Sequence, residues 1–129
     1  MTSSMAERFM QALQAAEESG QVGGLVELFG EGAELKRQSG EAHAGGADSA
    51  ERFWQEYLDG FRHIRSHFTN VVEAGDTVVV EWVLDAEPVT GPAFQYAGVS
   101  ILETDQGSIR RFSTYYDSAK FVPTVSSAR

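Results

Sequence analysis

The sequence predicts an α+β domain with helices packed on one face of a curved antiparallel sheet. Three observations carry this. Helical periodicity is confined to residues 5–19 and a stretch opening at Asp48. The second half of the chain alternates in four long β-rich runs. Two of those runs flank Gly75-Asp76, a two-residue link that signals a tight hairpin. Helices first and a meander afterwards is the α+β order.

The elements follow in order. "MAERFMQALQAAEES", residues 5–19, consists of strong helix formers, with Phe9, Leu13 and Ala16 at helical spacing, and Gly20 stops it. "VGGLVELFGEG" predicts a short helix from Leu25 to Phe29, closed by Gly30 and Gly32. "AELKRQ", 33–38, predicts a strand with Leu35 and Arg37 on one side and Glu34 and Lys36 on the other. "SGEAHAGGA" predicts a loop. Asp48 then suits an N-cap, with Glu51 at capping-box distance. Ala50, Phe53, Trp54, Tyr57, Leu58 and Phe61 form the clearest apolar stripe in the chain, and Gly60 ends it. The runs "HIRSHFTNVVEA", "TVVVEWVLDAE", "FQYAGVSILET" and "SIRRFSTYYD" predict the sheet. One domain over 5–120 is expected, with flexible termini at 1–4 and 121–129.

Composition narrows the partners. Ten Lys+Arg face 19 Asp+Glu, a net charge of −9, so no basic stripe exists to neutralise phosphates and nucleic acid is not expected. No apolar run reaches the roughly 20 residues of a membrane helix. The N-terminus lacks a secretory pattern and there are no cysteines, which fits a cytoplasmic protein. His43, His63 and His67 fall in no strong metal spacing, and no phosphate loop or nucleophile elbow occurs, so neither metal nor cofactor is expected.

The hairpin fixes a register. Counting outward from Gly75-Asp76, Val71 meets Val80, Thr69 meets Trp82 and His67 meets Leu84. These six share one face, and Phe68, Asn70, Glu81, Val83 and Asp85 share the other. Both faces carry apolar groups, which a sheet open to water on one side should not. A homodimer through the outer sheet face is therefore expected.

"LVELFGEGAEL", "DSAERFWQEYL", "EAGDTVVVEWVL" and "GSIRRFSTYYD" resemble the SnoaL-like and ketosteroid-isomerase-like proteins of the nuclear-transport-factor-like superfamily. The resemblance implies a cone-shaped, cystatin-like α+β barrel whose sheet wraps around the N-terminal helices. It also implies a pocket, but not a reaction. Where ketosteroid isomerases carry a catalytic Asp, an oxyanion Tyr and a second oxyanion acid, this chain has Arg37, Phe9 and Val99. Where limonene epoxide hydrolases carry an Arg-x-Asp pair and a further Asp, it has Trp82, Leu84 and Thr114. Neither chemistry is supplied. By the same resemblance Ala97, Val99 and Ile101 face inward on the third long strand, and Phe112, Thr114 and Tyr116 on the last.

The pocket so defined is apolar and aromatic, with few polar groups, the usual make-up of a small-molecule site. Phe9, Trp54, Tyr57, Thr69, Trp82, Leu84, Val99, Phe112 and Thr114 are its expected ligand contacts. His67 is the expected acid–base group, being the inward residue that titrates near neutrality. Arg37 and Tyr116 are expected to steady an oxyanion or a carboxylate. The expected partner is a small hydrophobic molecule bearing a carbonyl or carboxylate. A lyase, isomerase or cyclase using His67 is one alternative, and a non-catalytic dimeric interaction module is another.

Overall fold

The computed structural model describes residues 4–38, 42–43 and 47–117. Helix α1 spans Met5–Ser19 and is closed at both ends by its own sequence. Ser4 Oγ accepts from the Glu7 amide at 3.1 Å while Glu7 Oε1 accepts from the Ser4 amide at 3.3 Å, a complete capping box. At the other end Gly20 turns left-handed and its amide donates to Ala16. Ala6, Phe9, Leu13 and Ala16 form the buried stripe. The flexible termini expected at 1–4 and 121–129 lie outside the described residues, apart from the cap Ser4.

Helix α2 is shorter and earlier than predicted, Gly23–Val26, and the chain is already a strand, β1, at Phe29–Arg37. Gly30 and Gly32 therefore lie within β1 and do not close the helix. Propensity favoured the helix, but pairing of Phe29 with Ile109 decides the conformation. Two residues of the predicted loop, Ala42–His43, form β2 against β1. Helix α3 spans Ala47–Asp59, so Asp48 falls inside its first turn and not before it.

Four long strands complete the chain: β3 Phe61–Ala74, β4 Thr77–Pro88, β5 Phe94–Asp105 and β6 Ser108–Tyr116. The sheet order is β2-β1-β6-β5-β4-β3. Every neighbouring pair is antiparallel except β1 and β6, which run parallel because α3 and the intervening strands carry the chain back. The sheet is curved and unclosed, with the helices on its concave face. Strand β4 alternates without a fault: Val78, Val80, Trp82, Leu84 and Ala86 are buried beneath the helices.

The predicted hairpin exists, with Ala74 opposite Thr77 and Val71 opposite Val80. Gly75 takes φ +60°, as the first central position of a type II′ turn requires. The count then breaks at Thr69. Asn70 pairs with Glu81 and Phe68 with Trp82, leaving Thr69 as the extra residue of a β-bulge, its hydroxyl donating to the Glu81 carbonyl at 3.3 Å. One extra residue reverses every side chain beyond it. Phe68 and Ser66 turn inward, and Thr69 and His67 turn out.

Strand β5 corrects a second expectation. Trp82 lies opposite Gly98, Val80 opposite Ser100 and Leu84 opposite Tyr96. The inward set is therefore Tyr96, Gly98, Ser100 and Leu102, and Ala97, Val99 and Ile101 face the other way. The one-residue offset arises because no tight turn pins β5 to β4 as Gly75 pins β3.

Candidate functional site

An aromatic cluster forms the inner wall between α1, α3 and the sheet. Phe9, Phe53, Trp54 and Phe112 meet with ring centroids 5.0–6.1 Å apart. Beside it lies a cavity of about 220 Å³. Helix α1 contributes Phe9 and Leu13, and α3 contributes Phe53, Trp54 and Tyr57. The sheet contributes Ser66, Trp82, Leu84, Tyr96, Ser100, Phe112, Thr114 and Tyr116. Arg37, Glu56 and Gly60, the more exposed lining residues, mark its mouth.

Of the residues expected at the site, Phe9, Arg37, Trp54, Tyr57, Trp82, Leu84, Phe112, Thr114 and Tyr116 line this cavity. Three do not. Val99 faces away with β5's outward set, opposite Glu81. Thr69 is the exposed bulge residue. His67 stands on the outer face, half exposed, with Nε2 2.8 Å from Asp85 Oδ2. Gln95 donates to the other Asp85 oxygen at 2.8 Å, and these two bonds hold that carboxyl below its usual range. His67 is thus an outer-face residue, because the bulge at Thr69 swaps it with Ser66.

The trio Trp82, Ser100 and Thr114 fixes the cavity floor. Trp82 Nε1 donates to Ser100 Oγ at 2.9 Å, and Ser100 Oγ lies 2.9 Å from Thr114 Oγ1. Trp82 lies flat over Gly98: a Cβ there would stand 2.5 Å from Trp82 Cζ2. The trio supplies hydroxyls but no acid or base.

At the mouth, the Arg37 guanidinium stacks over Phe53, 4.5 Å from the ring centroid, with Glu56 loosely paired at 3.9 Å. Burial raises the Tyr96 phenol above its ordinary range, with the neighbouring Tyr116 adding to the effect. The Trp54 indole N–H is buried with no hydrogen-bond partner among the described residues.

Sequence reading missed Glu56 at the mouth and four further polar groups. Ser66 was hidden by the bulge, and Tyr96 and Ser100 by the offset of β5. The fourth is Glu17, which bonds Tyr57 and Ser66 from behind the cavity wall. A signal for it existed: Glu17 sits four residues after Leu13 and eight after Phe9, an acid on a buried stripe. Among the described residues no group of three or more His, Cys, Asp or Glu side chains is placed to hold a metal ion. Among the same residues no helix is long and apolar enough to cross a membrane.

Helices on a curved, unclosed sheet with an aromatic cavity between them define the class. The chain matches the SnoaL-like domain over residues 6–112 and belongs to that family. No curated protein matches it in sequence. Among solved structures, it resembles a protein from Jannaschia sp. CCS1 assigned as a SnoaL-like polyketide cyclase, 19% identical with a TM-score of 0.77, covering 100% of this chain and 99% of that one. TerC, co-crystallised with polyporic acid, is 17% identical with a TM-score of 0.76, covering 92% of this chain and 95% of its own. A cystatin-fold protein from Novosphingobium aromaticivorans is 13% identical with a TM-score of 0.71, covering 88% and 98%. At these identities the likeness is one of fold.

Proposed function

We propose that the cavity binds a small, flat, largely apolar molecule bearing one anionic oxygen, a carboxylate or phenolate, at the Arg37 end. The observation that carries this is the placement of one guanidinium at the mouth of an aromatic-walled cavity. Stacking on Phe53 orients that guanidinium while leaving its N–H edge available to a planar anion. Size agrees. Cavities of about 150 Å³ take up benzene, so about 220 Å³ suits one or two rings and not a four-ring steroid. The co-crystallisation of TerC with polyporic acid supports the reading through likeness of fold. An acid–base role for His67 has no place in it, since that imidazole lies on the opposite face of the sheet.

Both tryptophans of the chain, Trp54 and Trp82, line the cavity, so selectively excited tryptophan fluorescence reports on it. Titration with benzoate should change that fluorescence saturably. Arg37→Ala should weaken benzoate binding about tenfold or more, the worth of a charged hydrogen bond. It should leave methyl benzoate almost unaffected. If neither compound gives a saturable change, the cavity is vestigial and the interaction-module alternative stands. We further propose that two copies associate through the outer sheet face, a reading supported by its half-exposed apolar residues.

A further inference from the structure

One carboxylate is part-buried without a counter-ion. Glu17 lies in the last turn of α1 and reaches in against β3. Its Oε1 accepts from the Ser66 amide at 2.8 Å. Its Oε2 accepts from two hydroxyls, Ser66 at 2.6 Å and Tyr57 at 2.9 Å. No cation among the described residues stands within ion-pair distance, and Arg65 acts on it only at longer range. The last turn is the negative end of a helix, the wrong end for an acid. Burial also opposes the charge and holds this carboxyl above its usual range. A residue kept against both local rules points to a functional position.

Tyr57 and Ser66 also line the cavity. A hydroxyl has one hydrogen, and both of these donate it to Glu17. What remains for a bound molecule is lone-pair oxygen. The cavity is thus polarised, with acceptor oxygens at the Tyr57–Ser66 wall and the Arg37 donors at the mouth. The other ionisable groups near the carboxylate are Glu18 on α1 and His63 and Arg65 on β3, which share its outer groove. Tyr96 on β5 acts on the Tyr57 phenol from the sheet side.

We propose that Glu17, acting through Tyr57 and Ser66, takes up a proton from the bound molecule, so that the ligand is a weak acid held as its anion. Phenols, enols and carbon acids beside a carbonyl are the matching class. This rests on the reading that a small molecule occupies the cavity. In the step, the ligand's O–H or C–H bond breaks and the hydrogen bonds to the Tyr57 or Ser66 oxygen. That oxygen's own hydrogen passes to Glu17 Oε2. The electron pair stays on the ligand, and conjugation carries its charge from the atom at the Tyr57–Ser66 wall to an oxygen, such as a carbonyl or nitro oxygen, that faces the Arg37 guanidinium. The charge lost from the carboxylate reappears on the ligand, so the complex keeps its net charge and needs no further reactant. Tyr57 and Ser66 touch the ligand, and Glu17 is the relay residue behind them. A purely structural Glu17 would pin α1 to β3 and move no proton.

The test uses 4-nitrophenol, which is coloured only when ionised, at a pH below its own pKa. Calorimetry in two buffers of different ionisation enthalpy counts the protons released on binding. The parent protein should bind the probe as phenolate and release no proton to the buffer. Glu17→Gln should bind it as neutral phenol, or as phenolate with one proton released. The double variant Y57F/S66A, which keeps the carboxylate but removes both hydroxyls, should behave like E17Q. A neutral bound probe in the parent, or a proton released by the parent, overturns the relay, and neither result requires any variant to fold. So does an E17Q protein indistinguishable from the parent. No heat of binding at all overturns the reading of the cavity instead, and the relay with it.

Discussion

Gly98 shows how one missing side chain sets a wall. Trp82 faces it across β4 and β5, and the indole lies flat because no Cβ stands beneath it. That pose directs Nε1 to Ser100. Gly98→Ala would push a methyl group into both the indole and the Tyr115 carbonyl, neither of which is a flexible chain end. Overpacking of this kind typically costs about 1–3 kcal/mol. Denaturant unfolding should show a loss of that order, and a variant as stable as the parent would remove the packing argument. Thr69 shows the limit of counting. Parity from the hairpin reads faces correctly as far as Asn70, then one bulged residue exchanges His67 for Ser66. Nothing in "SHFTN" marks a bulge, since Thr is an ordinary strand residue. The imidazole expected to act as acid and base is therefore outside, and Ser66 turns inward to bond a part-buried acid.

At the scale of elements, α1 and α3 were legible because their apolar residues recur at helical spacing and glycines follow them. The β3–β4 hairpin was legible because a turn of two residues leaves one register near the loop. The start of β1 was not, because its fate depends on pairing with β6, some eighty residues later. Helix α1 also carries a testable liability in Glu17. Burial raises its carboxyl pKa in the folded state above the unfolded value. The folded protein therefore binds that proton more tightly, and the group's contribution to stability is fully present below the unfolded pKa. It is lost as pH rises through the raised folded value. Glu17→Gln cannot titrate. The parent's unfolding free energy, minus that of Glu17→Gln, should fall as pH climbs from the ordinary carboxylate range, then level off. Urea melts of both proteins across that pH series measure the difference, and parallel curves would show that the carboxyl is not perturbed.

At the scale of the molecule, the outer sheet face raises the question of association. Val79 lies opposite Ile101 and Val99 opposite Tyr115, all on the face away from the helices and none fully buried. Val72, 49% exposed, extends the patch along β3. A stable pair needs about 800 Å² from each partner, and an open sheet of long strands offers a surface on that scale. Each chain also carries a net charge of −9, so two copies repel one another. Apolar contact must outweigh that repulsion, and added salt screens it within about 10 Å at 0.1 M. The expected result is a particle of twice the 14.1 kDa chain mass in light scattering, with a dissociation constant that tightens as salt is raised. Ile101→Arg should shift the equilibrium to monomer, because the side chain is only part-buried in the single chain and the fold can accept it. A monomer mass at micromolar protein in high salt would show that the outer face meets water alone. The half-buried valines would then need no second copy to explain them.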